Sequence, residues 1–251
     1  MRANETLCDT VVVVGANGEI CLNLSEELSK LGVNVIAVTR RKLSKLFETV
    51  EKSGKIYNLA IEINQKNAIR EILGVDLISE AKKLGLVYGP SVFKRIKDFR
   101  NIEIEDWDEA LQVNLKSAFL WNQVFSEHAI SLGKQLSIVN ISSQASYTGG
   151  YGEVFPYAAS KGGLETMTRS FARVLGPSGI RVNAIAPGFV DTKSMRGNLS
   201  EAQLQNFINR VPLGRLSTIN EIVQPIIFLL SEGSAYITGT TINVTGGQLL
   251  F

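Results

Sequence analysis

Residues 10–21 read TVVVVGANGEIC: a β-branched run from Thr10 to Val14, then the glycine-bearing turn Gly15-Ala16-Asn17-Gly18 and the residues Glu19, Ile20 and Cys21. From Ile20 to Leu31 apolar side chains recur at helical spacing, and the pattern stops at Gly32. A run apolar on both faces, a tight turn and a helix make a junction that points backbone N–H groups and a helix dipole at an anion, typically a pyrophosphate. Strand-to-helix turns also use glycine for steric reasons alone, so the meaning of this turn depends on the rest of the chain.

The same alternation continues outward. Strands are expected at 33–38 (VNVIAV), 55–63 (KIYNLAIEI), 86–88, 136–141 (LSIVNI), 181–185 and 240–244, and helices over 67–84, 106–132, 157–175 and 221–231. Many of the strands are apolar throughout, which requires a sheet covered on both faces. The expectation is an α/β fold, a doubly wound parallel sheet in a single domain over 1–251, with its ligand site at the carboxyl ends of the strands.

The 251 residues are 45% hydrophobic and 20% charged, with 22 glycines and six prolines, which excludes disordered, collagen-like and disulfide-scaffold classes. Lys plus Arg is 26 against 24 for Asp plus Glu, and a formal charge of +2 gives no nucleic-acid footprint. Cys8 and Cys21 offer neither a disulfide framework nor a metal cluster, as suits a reducing cytoplasm. With no signal pattern and no apolar run of membrane-spanning length, a soluble cytoplasmic protein is expected. His128 is the only histidine and lacks a second ligand, so metal chemistry is not expected.

After the second strand stands Thr39-Arg40-Arg41. An acid there would bind a ribose 2′-OH, whereas arginine accommodates a 2′-phosphate, so the pair favours NADP(H) over NAD(H). The plain alternative is the start of a solvated basic loop. Further on, Ser142-Ser143 closes an apolar strand, and Pro156-Tyr157 opens a helix that carries Lys161. Tyr157 and Lys161, four apart, share a helix face, so the ammonium can lower the phenol pKa and make it a proton donor or acceptor near neutrality. The helices at 106–132 and 157–175 carry Trp121, Phe125, Met167 and Phe171 on more than one face, which calls for a subunit partner.

Together with VNL at 113–115, ISS at 141–143, YAASK at 157–161, RVNAIAPG at 181–188 and PLGR at 212–215, these features resemble the short-chain dehydrogenase/reductase family over essentially the whole chain, with a Rossmann-like fold. The resemblance implies Tyr157 as catalytic acid/base, Lys161 as its ribose-binding partner, Ser143 as the substrate-orienting hydroxyl and Asn114 as the holder of a relay water. It implies cofactor contacts from Gly15, Asn17, Gly18, Glu19, Ile20, Arg40, Arg41, Glu62, Ile63, Pro187, Gly188, Val190 and Thr192. It also implies a homotetramer built on the two long helices.

The N-terminal half departs from the family pattern TGxxxGxG. Val14 replaces Thr, Glu19 and Cys21 replace the second and third glycines, and the NNAG motif is replaced near Tyr88-Gly89-Pro90-Ser91. Glu19 is expected to set a side chain where backbone should approach pyrophosphate. The pattern is most similar to β-ketoacyl-acyl-carrier-protein reductases. Carrier docking is only partly signalled: Ser178 stands where a basic residue is usual, and Lys134 is one remaining basic contact. A secondary-metabolite or sugar ketone is the alternative small-molecule substrate, chosen by Gln144, Ser146, Tyr147, Tyr151 and the segment 193–206. Two further readings stay open: a cofactor-poor binding or assembly module, and an epimerase or dehydratase sharing the Tyr/Lys chemistry.

Overall fold

In the computed structural model, which describes residues 7–40, 54–197 and 199–250, β1 (Thr10–Val14) is buried along its whole length. Its side chains alternate between two layers, as a strand's must. Val12 and Val14 join Ile36, Val38, Leu86, Trp121 and Phe125 on one face; Val11 and Val13 join Leu24, Leu28, Ile222 and Ile226 on the other. Two cores on one strand require helices above and below it.

The first layer of helices comprises α1 (Glu19–Lys30) and α8 (Ile219–Leu230). The second comprises α2 (Lys66–Glu71), α4 (Ser117–Leu132) and α5 (Phe155–Leu175). Between them lie β2 (Asn34–Thr39), β3 (Ile56–Ala60), β4 (Lys83–Tyr88), β5 (Gln135–Ile141), β6 (Arg181–Pro187) and β7 (Thr241–Val244). All pair in parallel in the order β3-β2-β1-β4-β5-β6-β7. The winding reverses between β1 and β4, so the crevice at their carboxyl ends is where this architecture binds ligands. The shorter helices α3 (Ile104–Leu111), α6 (Lys193–Gly197) and α7 (Glu201–Ile208) complete the set used below.

Three expected elements differ. The helix expected over 67–84 is broken: α2 stops at Glu71, a 3-10 turn covers Ile72–Gly74, and β4 already begins at Lys83. Gly74 weakens a helix by about 1 kcal/mol, and residues 83–85 are needed to pair with β1 and β5. Gly85 therefore lies inside the strand, where a Cβ would meet Val11 at 2.8 Å. The expected strand 55–63 ends at Ala60, and the carbonyl of Ile63 instead accepts from Ser117 and from the Trp121 indole. The helix expected over 106–132 contains a π turn, Gln112–Lys116, where Tyr88 Oη donates to the Val113 carbonyl at 2.6 Å. That turn presents Asn114. Among the described residues no helix is long and apolar enough to cross a membrane, and no three metal-ligating side chains cluster.

Candidate active site

At the end of β1, Gly15 turns with φ +79, and a Cβ there would stand 2.9 Å from the Pro90 nitrogen. Only glycine fits this close crossing of two strand exits. Asn17 and Gly18 are exposed beyond it, and Gly18 N-caps α1 without any side-chain hydrogen bond. The first amides of α1 thus have no capping side chain, the condition for anion binding at a helix start. Ile20 is partly buried against the α1 side of the core.

Glu19 does not lie across these amides, as the sequence led us to expect. Its carboxylate accepts from the Lys193 backbone N–H at 2.9 and 3.2 Å, joining the start of α1 to the start of α6. Cys21 is buried and its thiol donates toward the Val14 carbonyl at 3.8 Å; burial pushes that thiol up to about 12, so it is inert. A Cβ on Gly89 would stand 2.2 Å from this sulfur. The two departures from the family pattern are therefore one packing unit: sulfur on α1 fills the room left by glycine after β4.

Arg40 is exposed at the end of β2, beside the glycine turn, whose Gly15 and Ala16 amides bond to the Val38 carbonyl. Arg41 lies outside the described residues. Glu62 is exposed and Ile63 buried at the exit of β3. On the other side, Pro187 ends β6 and the Gly188 amide bonds to Val244, with the path of Thr245 only 3.0 Å from where a Cβ would be. Val190 bridges to Ser217, and Thr192 Oγ1 accepts from Met195 in the first turn of α6.

The catalytic candidates meet between these two sides. Tyr157, in the first turn of α5, has the hydroxyls of Ser143 and Ser91 beside its phenol, and its ring packs edge to face with Phe93, centroids 5.1 Å apart. Ser142 is excluded from this role because its hydroxyl donates to the buried Glu165 carboxylate at 2.7 Å. Lys161 is fully buried, and its ammonium donates to the Ile141 carbonyl at 2.7 Å, 5.7 Å from the Tyr157 ring centre. Burial lowers Lys161 to about 8. The phenol of Tyr157 is shifted upward rather than downward: burial raises it, and the Ser143 and Ser91 hydrogen bonds only partly oppose this. The expected lowering by Lys161 does not set the phenol's direction here; desolvation does, and at neutral pH Tyr157 holds its proton.

Asn114 supports this cluster through its side-chain amide. Its amide oxygen accepts from Val92 N–H at 2.7 Å, and its amide nitrogen donates to the Val92 carbonyl and to Ser160 Oγ. It therefore ties the loop after β4 to α5. Sequence reasoning missed Ser91 and Phe93, since nothing in their types or spacing marks them. The ammonium of Lys134, the expected basic contact for a carrier, donates to the carbonyls of Ile78, Ser79 and Ala81.

A dinucleotide phosphate fits these residues. The start of α1 has no capping side chain on its first amides, and the buried Gln144 side-chain oxygen, which has no partner, lies 3.4 Å from where a Gly188 Cβ would stand.

A family model described as Enoyl-(Acyl carrier protein) reductase matches residues 15–248. The chain is 36% identical over 246 residues to the 3-oxoacyl-(acyl-carrier-protein) reductase of Aquifex aeolicus, covering 95% of this chain and 87% of that one. It is 29% identical to the 2-dehydro-3-deoxy-D-gluconate 5-dehydrogenase of Escherichia coli, covering 95% and 94%. A crystal structure from Agrobacterium tumefaciens, assigned as a 2-deoxy-D-gluconate 3-dehydrogenase with NADP bound, superposes with a TM-score of 0.85 at 29% identity, covering 95% of each chain.

Proposed function

The chain belongs to the short-chain dehydrogenase/reductase family, and from that premise we propose that it interconverts a ketone and a secondary alcohol with NADP(H), using Ser143, Tyr157 and Lys161. The observation that carries this reading is the convergence of the Ser143 hydroxyl on the Tyr157 phenol, with the buried Lys161 one helical turn away. NADPH, when bound, supplies the hydride. Ser143 holds the substrate oxygen and Tyr157 gives it a proton, which the raised phenol pKa keeps in place at neutral pH. Lys161 and the backbone around the π turn, held by Asn114 and Tyr88, keep α5 and the loop after β4 in register. Gly15, Asn17, Gly18 and Ile20 would cradle the pyrophosphate, Arg40 and Arg41 the 2′-phosphate, and Glu62 and Ile63 the adenine. Pro187, Gly188, Val190 and Thr192 would hold the nicotinamide end.

The named relatives act on 3-oxoacyl carriers or on sugar acids, and we propose a ketone of one of these two kinds. The test is NADPH consumption with a 3-oxoacyl thioester and with a keto sugar acid, in the full chain and in Tyr157→Phe. The variant should lose roughly 10²–10⁴-fold of its turnover while still quenching with NADPH. Unchanged turnover would sink the assignment.

We also propose a cytoplasmic homo-oligomer, a tetramer, assembled through α4 and α5. A groove of about 1060 Å³ lies there, lined by Leu115, Phe119, Met167, Phe171 and Val174. Trp121 and Phe125 are not part of it; they stack in the core at 5.7 Å. The outward apolar face is formed instead by Phe119 on Phe171, also at 5.7 Å.

A further inference from the structure

We propose that Arg210 recognises an oxyanion, a carboxylate or a phosphate, carried by the substrate away from its reacting carbon; this rests on the ketone reductase reading above. The wall of the crevice is continuous from the phenol to this residue. Phe93 packs on Tyr157, and two residues on, the Arg95 guanidinium reaches the Phe207 ring at 5.7 Å. Phe207 packs on Phe189 at 4.5 Å, beside Gly188. Arg210 completes the wall, 5.8 Å from the Phe207 ring and 4.5 Å over the ring of Tyr151.

Two guanidinium groups thus share one aromatic ring, and their charges are treated differently. Arg95 is paired with Glu153. Arg210 has no carboxylate within ion-pair distance among the described residues, although it is held by two rings. Stacking occupies a guanidinium's face and leaves its N–H edge directed outward, the geometry that bonds an oxyanion through two parallel hydrogen bonds.

The platform under Arg210 is itself built at a cost. Tyr151 has φ +58 and is the only described non-glycine residue in the left-handed region. It sits in the run Gly149–Gly152, where all four residues have positive φ. The Tyr151 hydroxyl is pinned by Gln248 Nε2 at 2.5 Å. A conformation costing about 1–3 kcal/mol persists where surrounding contacts impose it, and such residues cluster at ligand sites.

The test compares oxo acids of increasing chain length with their methyl esters, and dihydroxyacetone phosphate with dihydroxyacetone, in the full chain with NADPH. The full chain should prefer the anionic member of a pair, and the pair showing the preference identifies carboxylate or phosphate. Arg210→Gln should lower kcat/KM for that anion roughly tenfold more than for its neutral partner, and Arg210→Lys should restore part of the difference. Titration with glutarate and with inorganic phosphate by calorimetry reads the same site without turnover, and Arg210→Gln should abolish saturable binding. Equal rates for anionic and neutral members, or parallel losses for both in Arg210→Gln, would overturn the proposal. If no ketone is reduced while an anion still binds through Arg210, the reductase reading fails and the anion site stands. If no ketone is reduced and no anion binds, both fail.

Discussion

Replacing Gly89 by Ala puts a methyl carbon 2.2 Å from Cys21 Sγ and 3.3 Å from both Ile141 Cδ1 and the Val14 carbonyl. Real Cβ atoms do not approach within 3.0 Å. Cys21 is 3% exposed, so its sulfur has nowhere to retreat. Overpacking of this kind costs about 1–3 kcal/mol. Replacing Cys21 by Gly removes a buried side chain and sets a glycine in the first turn of α1, where the lost helix propensity relative to cysteine adds about 0.3 kcal/mol. If residues 21 and 89 share one volume, the double variant restores it, with the alanine methyl occupying the place of the sulfur. The clash term vanishes and the loss should be smaller than the sum of the single losses by about 1–3 kcal/mol, within the range for residues in contact. Urea unfolding of the four proteins at one protein concentration measures this coupling. Losses that add to within about 0.5 kcal/mol would refute the exchange of volume between α1 and the exit of β4.

Glu19→Gly removes a carboxylate that is turned to the Lys193 amide and away from the first amides of α1; NADPH affinity, read by fluorescence titration, should change by less than about tenfold, and a tightening of about a hundredfold would show that the carboxylate does block the cradle. Arg40→Ala should reduce the preference for NADPH over NADH in the same titration, by roughly 1.5–3 kcal/mol if the lost contact is a charge-assisted hydrogen bond. Lys161 is held near 8, below its ordinary 10.5, so between these values the unfolded chain binds the extra proton and stability rises with pH. Lys161→Met should flatten that rise in urea midpoints measured between about pH 8 and about pH 9; an identical pH slope in both proteins would show that the lysine is not desolvated. Light scattering at micromolar concentration should report an oligomer, and Phe119→Glu, a charge placed in the outward groove, should dissociate it.

The alternation of β-branched runs and helix-period segments was enough to specify a parallel α/β sheet, because strands apolar on both faces need helices above and below them; the strand order β3-β2-β1-β4-β5-β6-β7 is what makes it an open, doubly wound one. The nearness of Tyr157 and Lys161 was also legible, since residues four apart on a helix share one face whatever the surroundings, whereas Ser143 came from the family resemblance. What the chain itself could not disclose are quantities set by distant neighbours. Burial raises the phenol of Tyr157 although a lysine stands near it, and strand pairing with β1 claims residues 83–85 that local periodicity gave to a helix. The altered glycine turn is the sharpest case. Read along the sequence, Glu19 and Cys21 look like two defects in a phosphate cradle. In space, one carboxylate turns away to the Lys193 amide, and one sulfur fills the room left by Gly89, a residue 68 positions later (89 − 21). Volume and charge are conserved across contacts, not along the chain, and only the tertiary structure shows which contacts conserve them.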